Sequence, residues 1–493
     1  MGIVARQGFY NTVISYAGIG LGFVTTILLY PHILQPEQYG LTRVLISASM
    51  IGAQFAHLGF RNLIFRFHPL FKKMDSKNHG LFFWTLTVPL AGFMIFALIY
   101  LAFSDFIRDY YSGQSPLFIE YYFWVIPITF FMLYFEVLNS YLRSLKDSVT
   151  GSFATDIVFR IFTILILLLF FFDLISFQTF IILFSGGYGI QVIIVFIAIQ
   201  KKGEAKLRPN IKLLRTKLVL GMASYSLYTL LGGLTTVAVW NIDILMLSSL
   251  TDLEQTAIYA IAFYVGSVIS VPSRAIEKIT TPLIGDLFKE KKWSQIESLY
   301  KKTALNLFLA GSFVLGLIWI NLDILFLLLP EIYQSGKFVI LLIAIGKLIT
   351  ISTGINGAII ITSKYYKVDL YTNVFLVFLT IATNLLLIPS YGIIGAATAT
   401  AISLVIYNLI KTLYLQFKMN MHPFSGNLFK SLLVAAIASA LALLPLEFMT
   451  GFARLIPANL IFLIFFLAPC YKLKLSDEAI HLAERIINKI KPS

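Results

Sequence analysis

The stretch TGSFATDIVFRIFTILILLLFFF, residues 150–172, decides the fold. It is long enough to cross a hydrocarbon core as a helix, which takes about twenty apolar residues. It also carries one acid, Asp156, and one base, Arg160, four residues apart and so on one helix face. A charge at bilayer depth costs roughly 2.5–3.5 kcal/mol on insertion scales, so it normally faces a protein interior or a watery cavity. Lys347 repeats the anomaly in the other half of the chain, inside the apolar run 335–362, with no acidic residue within a helical turn of it. Two mid-span cations point to an anion-handling cavity inside an all-α polytopic membrane protein.

Composition agrees. Of 493 residues, 58% are hydrophobic and 13% charged, whereas a soluble chain is nearer half apolar and about a quarter charged. The formal net charge of +14 invites a nucleic-acid reading. That reading is rejected, because the positives fall mainly in short connectors between apolar runs. The single cysteine, Cys470, excludes a disulfide framework and any multi-cysteine metal site. The apolar run from Gly8 to Leu34 exceeds a signal-peptide core and reads as a retained first helix.

The same ruler gives about fourteen spans, near 9–33, 40–60, 80–103, 117–138, 150–172, 176–200, 218–242, 256–276, 303–322, 335–362, 368–388, 391–417, 430–446 and 453–471. Roughly 32 of the 38 Lys and Arg then fall on one face, together with both termini. The other face is nearly bare of them. This asymmetry predicts cytoplasmic termini.

The second half echoes the first at one offset of 217 residues. Glu37-Gln38 recurs as Glu254-Gln255, Leu70-Phe71-Lys72 as Leu287-Phe288-Lys289, Asn139 as Asn356, and Thr155-Asp156 as Thr372-Asn373. The expected organisation is a six-helix lobe, 1–200, a basic cytoplasmic linker, 201–217, and a second six-helix lobe, 218–417. Two additional helices follow in 418–471, then a cytoplasmic tail, 472–493. An even number of spans per half relates the lobes by a pseudo-two-fold axis along the membrane normal and predicts a site at their interface. Gly18, Gly20 and Gly22 in the first span, and Gly221, Gly232 and Gly233 in the seventh, fit either a bendable cavity wall or close helix packing.

Arg160 and Asp156 read either as a self-neutralised pair or as an arginine offered to a phosphate and oriented by the acid. Lys347 fits a cavity role. Arg43 sits at the outer start of the second span, as solvated interface or cavity rim. Arg61 and Arg274 end spans at the basic face, where topology alone expects cations. Asp243 is the candidate coupling or cavity acid beside Asp156. The sequence has no G-x-x-x-x-G-K-[ST] loop and no H-E-x-x-H, and no connector long enough for a soluble catalytic domain. No catalytic residue and no metal site is expected.

Three segments carry a family resemblance. Leu34-Gln35-Pro36-Glu37-Gln38-Tyr39-Gly40-Leu41 resembles the L-x-P-E-x-Y-G-L turn of bacterial polysaccharide flippases. Asn241-Ile242-Asp243-Ile244-Leu245-Met246-Leu247, followed by Ala257-Ile258-Tyr259, resembles the opening of their second half. Asn384-Leu385-Leu386-Leu387-Ile388-Pro389, then Tyr391-Gly392-Ile393-Ile394-Gly395-Ala396-Ala397, resembles a turn late in that half. The chain thus resembles the oligosaccharide-lipid branch of the multidrug/oligosaccharidyl-lipid/polysaccharide exporter superfamily over most of 1–417.

The resemblance implies two six-helix lobes and a flippase that is not an enzyme. Its cargo would be an undecaprenyl-diphosphate-linked oligosaccharide, such as a capsule, O-antigen or exopolysaccharide repeat unit. It would move from the inner to the outer leaflet of the bacterial cytoplasmic membrane by alternating access. Arg160, Lys347 and Arg43 are the positions that can meet the family's basic cavity. Alternatives are a peptidoglycan lipid-precursor flippase and a cation-coupled multidrug antiporter. From another class come a membrane-embedded glycan polymerase or ligase and an assembly scaffold. No cofactor is expected, and coupling to H+ or Na+ is left open. Expected partners are the cargo, membrane lipids and glycan polymerase or assembly proteins; nucleic acid is excluded, and the expected state is a monomer.

Overall fold

The computed structural model describes residues 3–74, 80–205, 207, 216–444, 449, 451–478 and 480. It is helical, with no strand among the described residues. The chain forms two compact units, Met1–Ala257 and Ile258–Ser493.

In the first unit, α1 (Ile3–Phe23) runs on through a π-helical turn, Val24–Leu29, to Ile33. Pro31 explains the widening. Its ring has no N–H and crowds the carbonyl one turn back. The ladder slips just before it, so that Tyr30 donates to Thr25 five residues earlier. Next come α2 (Pro36–Ala56), α3 (Phe60–Met74), α4 (Leu81–Ala102) and α5 (Val125–Ser144). Pro36 at the first helical position and a reciprocal Gln35–Gln38 cap start α2. The following span begins as Val149–Phe153, passes a second π-helical turn at Ala154–Val158 and ends as α6 (Phe159–Phe171). Then follow α7 (Phe177–Lys201) and α8 (Thr216–Leu250). An apolar core around Ala53, Leu63, Phe82, Val137 and Tyr141 holds the unit together.

The unit boundary falls inside α9 (Leu253–Ser267). The second unit continues with α10 (Val271–Lys289), α11 (Trp293–Ile320), α12 (Lys337–Ser352) and α13 (Asn356–Thr362). The long α14 (Tyr366–Met419) breaks at Gly392, where φ is 53° and ψ −130°, three residues after Pro389. The break lies one residue inside the start of the predicted twelfth span, 391–417. Finally α15 (Gly426–Leu443) and α16 (Leu455–Lys472) pack on each other and on α11, through Phe308, Ala438, Phe462 and Phe466.

Twelve helices among the described residues are long and apolar enough to cross a membrane. The 54-residue α14 accounts for two predicted spans, and the 21-residue α2 falls outside the twelve. Helix lies at each of the fourteen predicted positions.

Connectors assigned to one face meet one another. On the basic face, Gln7 donates to the Lys146 carbonyl, Asn11 to Ser148, and Lys202 pairs with Asp147 at 3.4 Å. In the second unit Lys302 pairs with Glu478, and Asn427 donates to the Leu475 carbonyl. On the other face Tyr111 donates to the Leu245 carbonyl and Ser115 to that of Ser248. There Asp323 also pairs with Lys337 and with Arg454, the latter at 3.1 Å. The 217-residue repeat is echoed as well. Glu37 and Glu254 both sit in a first helical turn, and Lys72 and Lys289 both close to a helix end. Thr155 and Thr372 both donate back to the carbonyls three and four residues earlier.

Candidate functional site

Within the first unit, α1 and the 149–171 span touch along a small-residue seam. Gly18 lies against Asp156, and Gly22 against the guanidinium of Arg160. Both contacts advance by four residues in the same direction, so the two helices run parallel, as two odd-numbered spans must. The two π-helical turns lie along this seam. Thr25 returns its own hydroxyl to the Leu21 and Gly22 carbonyls and accepts from Arg160 Nη1 at 3.4 Å.

Arg160 has no carboxylate within 4 Å among the described residues. Asp156 accepts instead from Thr155 at 3.3 Å and acts on Arg160 only at longer range. The two residues share a face without a direct ion pair.

Arg160 is joined by Arg43. The Arg43 guanidinium lies 4.7 Å from the centre of the Tyr39 ring and 5.2 Å from that of Tyr30. Those rings stack at 4.9 Å and 20°. Arg43 is half-buried; a cation over such faces gains about 0.5–2 kcal/mol, which holds Arg43 in place without cancelling its charge. Its Nε is buried and meets no acceptor among the described residues. Tyr30 and Tyr188 each lie within electrostatic range of both arginines. Tyr188 is placed by Phe159, 4.6 Å away centre to centre. The result is a nest of two guanidiniums and three phenols built from α1, α2, the 149–171 span and α7. Guanidinium forks match phosphate oxygens in pairs, and phenol hydroxyls add further donors.

The other predicted residues lie elsewhere. Arg61 pairs with Glu136 at 2.9 Å, half-exposed at the start of α3. Asp243 is buried in the C-terminal part of α8. In the second unit Lys347 is 6% exposed, with its ammonium 5.3 Å from the centre of the Phe263 ring. One turn further along α12, Thr350 begins a buried polar column, accepting from Asn408 at 3.2 Å. Thr353 and Asn356 both donate to the side-chain amide oxygen of Asn408, Oδ1.

The column leads to a group missed by the sequence reading. Lys411, 3% exposed, pairs with Asp369 at 2.7 Å and donates to Tyr407. Tyr407 donates to Asn373, which donates to Asp369. Glu277 lies within range of both Lys411 and the exposed Arg274. Lys411 hides among the basic connector residues that follow it. Its partner is 42 residues away, so the available signal was only an acid in the first turn of one span and a base near the end of the next.

A family described as polysaccharide biosynthesis protein matches residues 4–287. A capsular polysaccharide biosynthesis protein of Staphylococcus aureus, CapF, is 25% identical over 174 residues, 35% of this chain. That match spans 43% of CapF's own length. Among solved structures, an inward-facing multidrug resistance MATE family transporter of the MOP superfamily aligns with a TM-score of 0.64 at 15% identity, over 85% of this chain and 98% of that one. Lipid II flippase MurJ in an inward closed conformation aligns with a TM-score of 0.63 at 16% identity, over 89% of this chain and 97% of its own. The fold is thus shared with both of these membrane proteins.

Proposed function

This chain belongs to the polysaccharide biosynthesis protein family; on that premise we propose that it is a membrane transporter rather than an enzyme, and that it flips an undecaprenyl-diphosphate-linked oligosaccharide. The direction is from the inner to the outer leaflet of a bacterial cytoplasmic membrane, by alternating access, with both termini cytoplasmic. The observation that carries this reading is the Arg43–Arg160 nest, where a mid-span arginine without a close carboxylate and a second arginine on phenol faces both lie within electrostatic range of Tyr30 and Tyr188.

The physics follows from the cargo. Its tail stays in hydrocarbon. Its diphosphate and sugars must avoid hydrocarbon, because burying unpaired charge there is prohibitive. Two guanidiniums lower that barrier for an anion. A small number of cations binds strongly enough to load and weakly enough to release. With the cell interior negative, moving two negative charges outward gains about 4.6 kcal/mol at 100 mV. That supplies a driving force without ATP. Lys347 is assigned to the same anionic cargo, while Arg61, already paired with Glu136, is assigned to structure.

The rival within transport is a cation-coupled drug antiporter, whose cationic cargo calls for cavity acids. A flippase for a peptidoglycan lipid precursor differs only in the glycan. The test is reconstitution into vesicles with a fluorescent lipid-linked oligosaccharide in the inner leaflet. Protein-dependent appearance in the outer leaflet is expected. Efflux of cationic dyes with no movement of the lipid-linked glycan refutes the reading.

A further inference from the structure

Lys411 is buried in the second unit, and its ammonium faces oxygen: a carboxylate oxygen of Asp369 at 2.7 Å and the hydroxyl of Tyr407. Stability alone does not account for the pair. Taking two charges out of water is expensive, and an apolar pair of the same volume commonly packs as stably or better. The same helices do supply apolar packing on neighbouring turns, through Ile284, Ile359 and Leu415.

Four groups instead close a ring. Lys411 donates to Asp369 and to Tyr407, Tyr407 donates to Asn373 at 2.7 Å, and Asn373 donates to the second Asp369 oxygen at 3.0 Å. Each carboxylate oxygen thus has a donor. The carboxylate and the phenol oxygen are both fixed toward one point, which the ammonium occupies. Oxygens held in this way replace the hydration shell of a small cation, and a lysine ammonium is a compact point charge on a flexible stem.

The surroundings fit a cation at that point. The titratable groups acting on the ammonium are Asp369 and Tyr407 from α14 and Glu277 from α10, with Arg274 acting on Glu277; α13 brings none. Among the described residues Asp369 has no other ion-pair partner. Gly357 leaves room beside it: only the Lys411 ammonium, 3.7 Å away, lies within 4 Å of where a side chain there would begin. Glu277 is exposed and offers a way in from outside.

We propose that this corner is a site for a monovalent metal cation, Na+ or K+, which Lys411 fills permanently with its own ammonium. The site stands apart from the flippase reading. Its consequence for transport rests on that reading: the second unit releases no metal cation here as the cargo crosses, so the charge of the diphosphate moves uncompensated by this site.

The test is the thermal midpoint of the full-length protein in lipid nanodiscs, in sodium, potassium or choline chloride at equal ionic strength. The wild type should be the same in all three. Lys411→Ala vacates the position and leaves Asp369 in place. Its midpoint should start lower and rise by about 3–5 °C at ten times the dissociation constant of Na+ or K+, with no rise in choline. Adding Asp369→Asn should abolish the rise, and Lys411→Met, which refills the space with an apolar chain, should show none. Lys411→Ser gives a second reading if Lys411→Ala fails to fold. No rise in either small variant, an equal rise in Lys411→Met, or a wild-type response to Na+ or K+ that Asp369→Asn removes overturns the proposal. Flipping by the wild type in vesicles is scored separately. Flipping without a cation response in the small variants refutes the tethered cation alone, and the response without flipping refutes the flippase reading alone.

Discussion

The glycine seam of α1 predicts a graded response to adding a single methyl group. At Gly22 a methyl would sit 2.9 Å from Cζ and Nη1 of Arg160, the far end of a flexible side chain. The guanidinium can swing aside, so crowding costs about 1 kcal/mol. Replacing glycine by alanine within a helix returns roughly 0.5–1 kcal/mol. Stability of Gly22→Ala should therefore change little. The displaced guanidinium, however, leaves Thr25 and loses its charge-assisted contact with a phosphate, worth roughly 1.5–3 kcal/mol, or about 10–150-fold in affinity. Gly18 differs, because its methyl would lie 2.6 Å from Asp156 Cβ and 3.2 Å from the Asp156 backbone oxygen, which cannot swing. Gly18→Ala should lose about 1–3 kcal/mol of stability. Nothing lies within 4 Å of a methyl at Gly20, so Gly20→Ala should keep affinity and gain slightly in stability. Thermal unfolding in detergent and titration with a fluorescent polyprenyl diphosphate read the two quantities separately. If Gly22→Ala binds like the wild type and destabilises as much as Gly18→Ala, Arg160 is a packing residue and the reasoning fails.

Lys411→Met should destabilise the second unit by about 3–5 kcal/mol, because it strands Asp369 in a buried site; the Lys411→Met/Asp369→Leu double variant should recover most of this in thermal unfolding. The carboxyl of Asp323 is held below its ordinary range by a hydrogen bond from Lys337, with Arg454 adding to the effect. A depressed carboxylate contributes stability above its unfolded pKa and loses it as pH falls through the folded value. The thermal midpoint should therefore drop below roughly pH 4, and Asp323→Asn should start lower at neutral pH and show a shallower acid limb. Gly392→Ala forces a side chain into backbone angles open mainly to glycine and should cost about 1–3 kcal/mol, read as a lowered midpoint with no loss at Gly20→Ala as the internal comparison.

The spans and their alternation were legible because apolar length and basic connectors are one-dimensional signals. Arg160 and Arg43 could be singled out because a charge near a span is costly wherever it points. Their surroundings were not. Tyr30, Tyr39 and Tyr188 look like ordinary aromatic filling in a chain with 25 tyrosines, and only packing turns them into a nest. The π-helical turn at Ala154–Val158 depends on which carbonyl Phe159 donates to, a choice made by tertiary contact. Lys411 and Asp369 meet through antiparallel packing of the two halves of α14, which no local spacing records. Pro389 and Gly392, by contrast, announced the break in α14 directly, since one lacks a donor and the other accepts a left-handed φ.

The most direct measurement is the flipping rate of a polyprenyl-diphosphate oligosaccharide in vesicles containing wild type, Arg43→Ala, Arg160→Ala or the double variant. Each single variant should slow transfer about 10–100-fold, Arg160→Ala with a thermal midpoint close to wild type and Arg43→Ala with a lower one from the lost ring contacts, and the double variant should be slower still. Transfer by the double variant at the wild-type rate would contradict the assignment of the Arg43–Arg160 nest to the diphosphate.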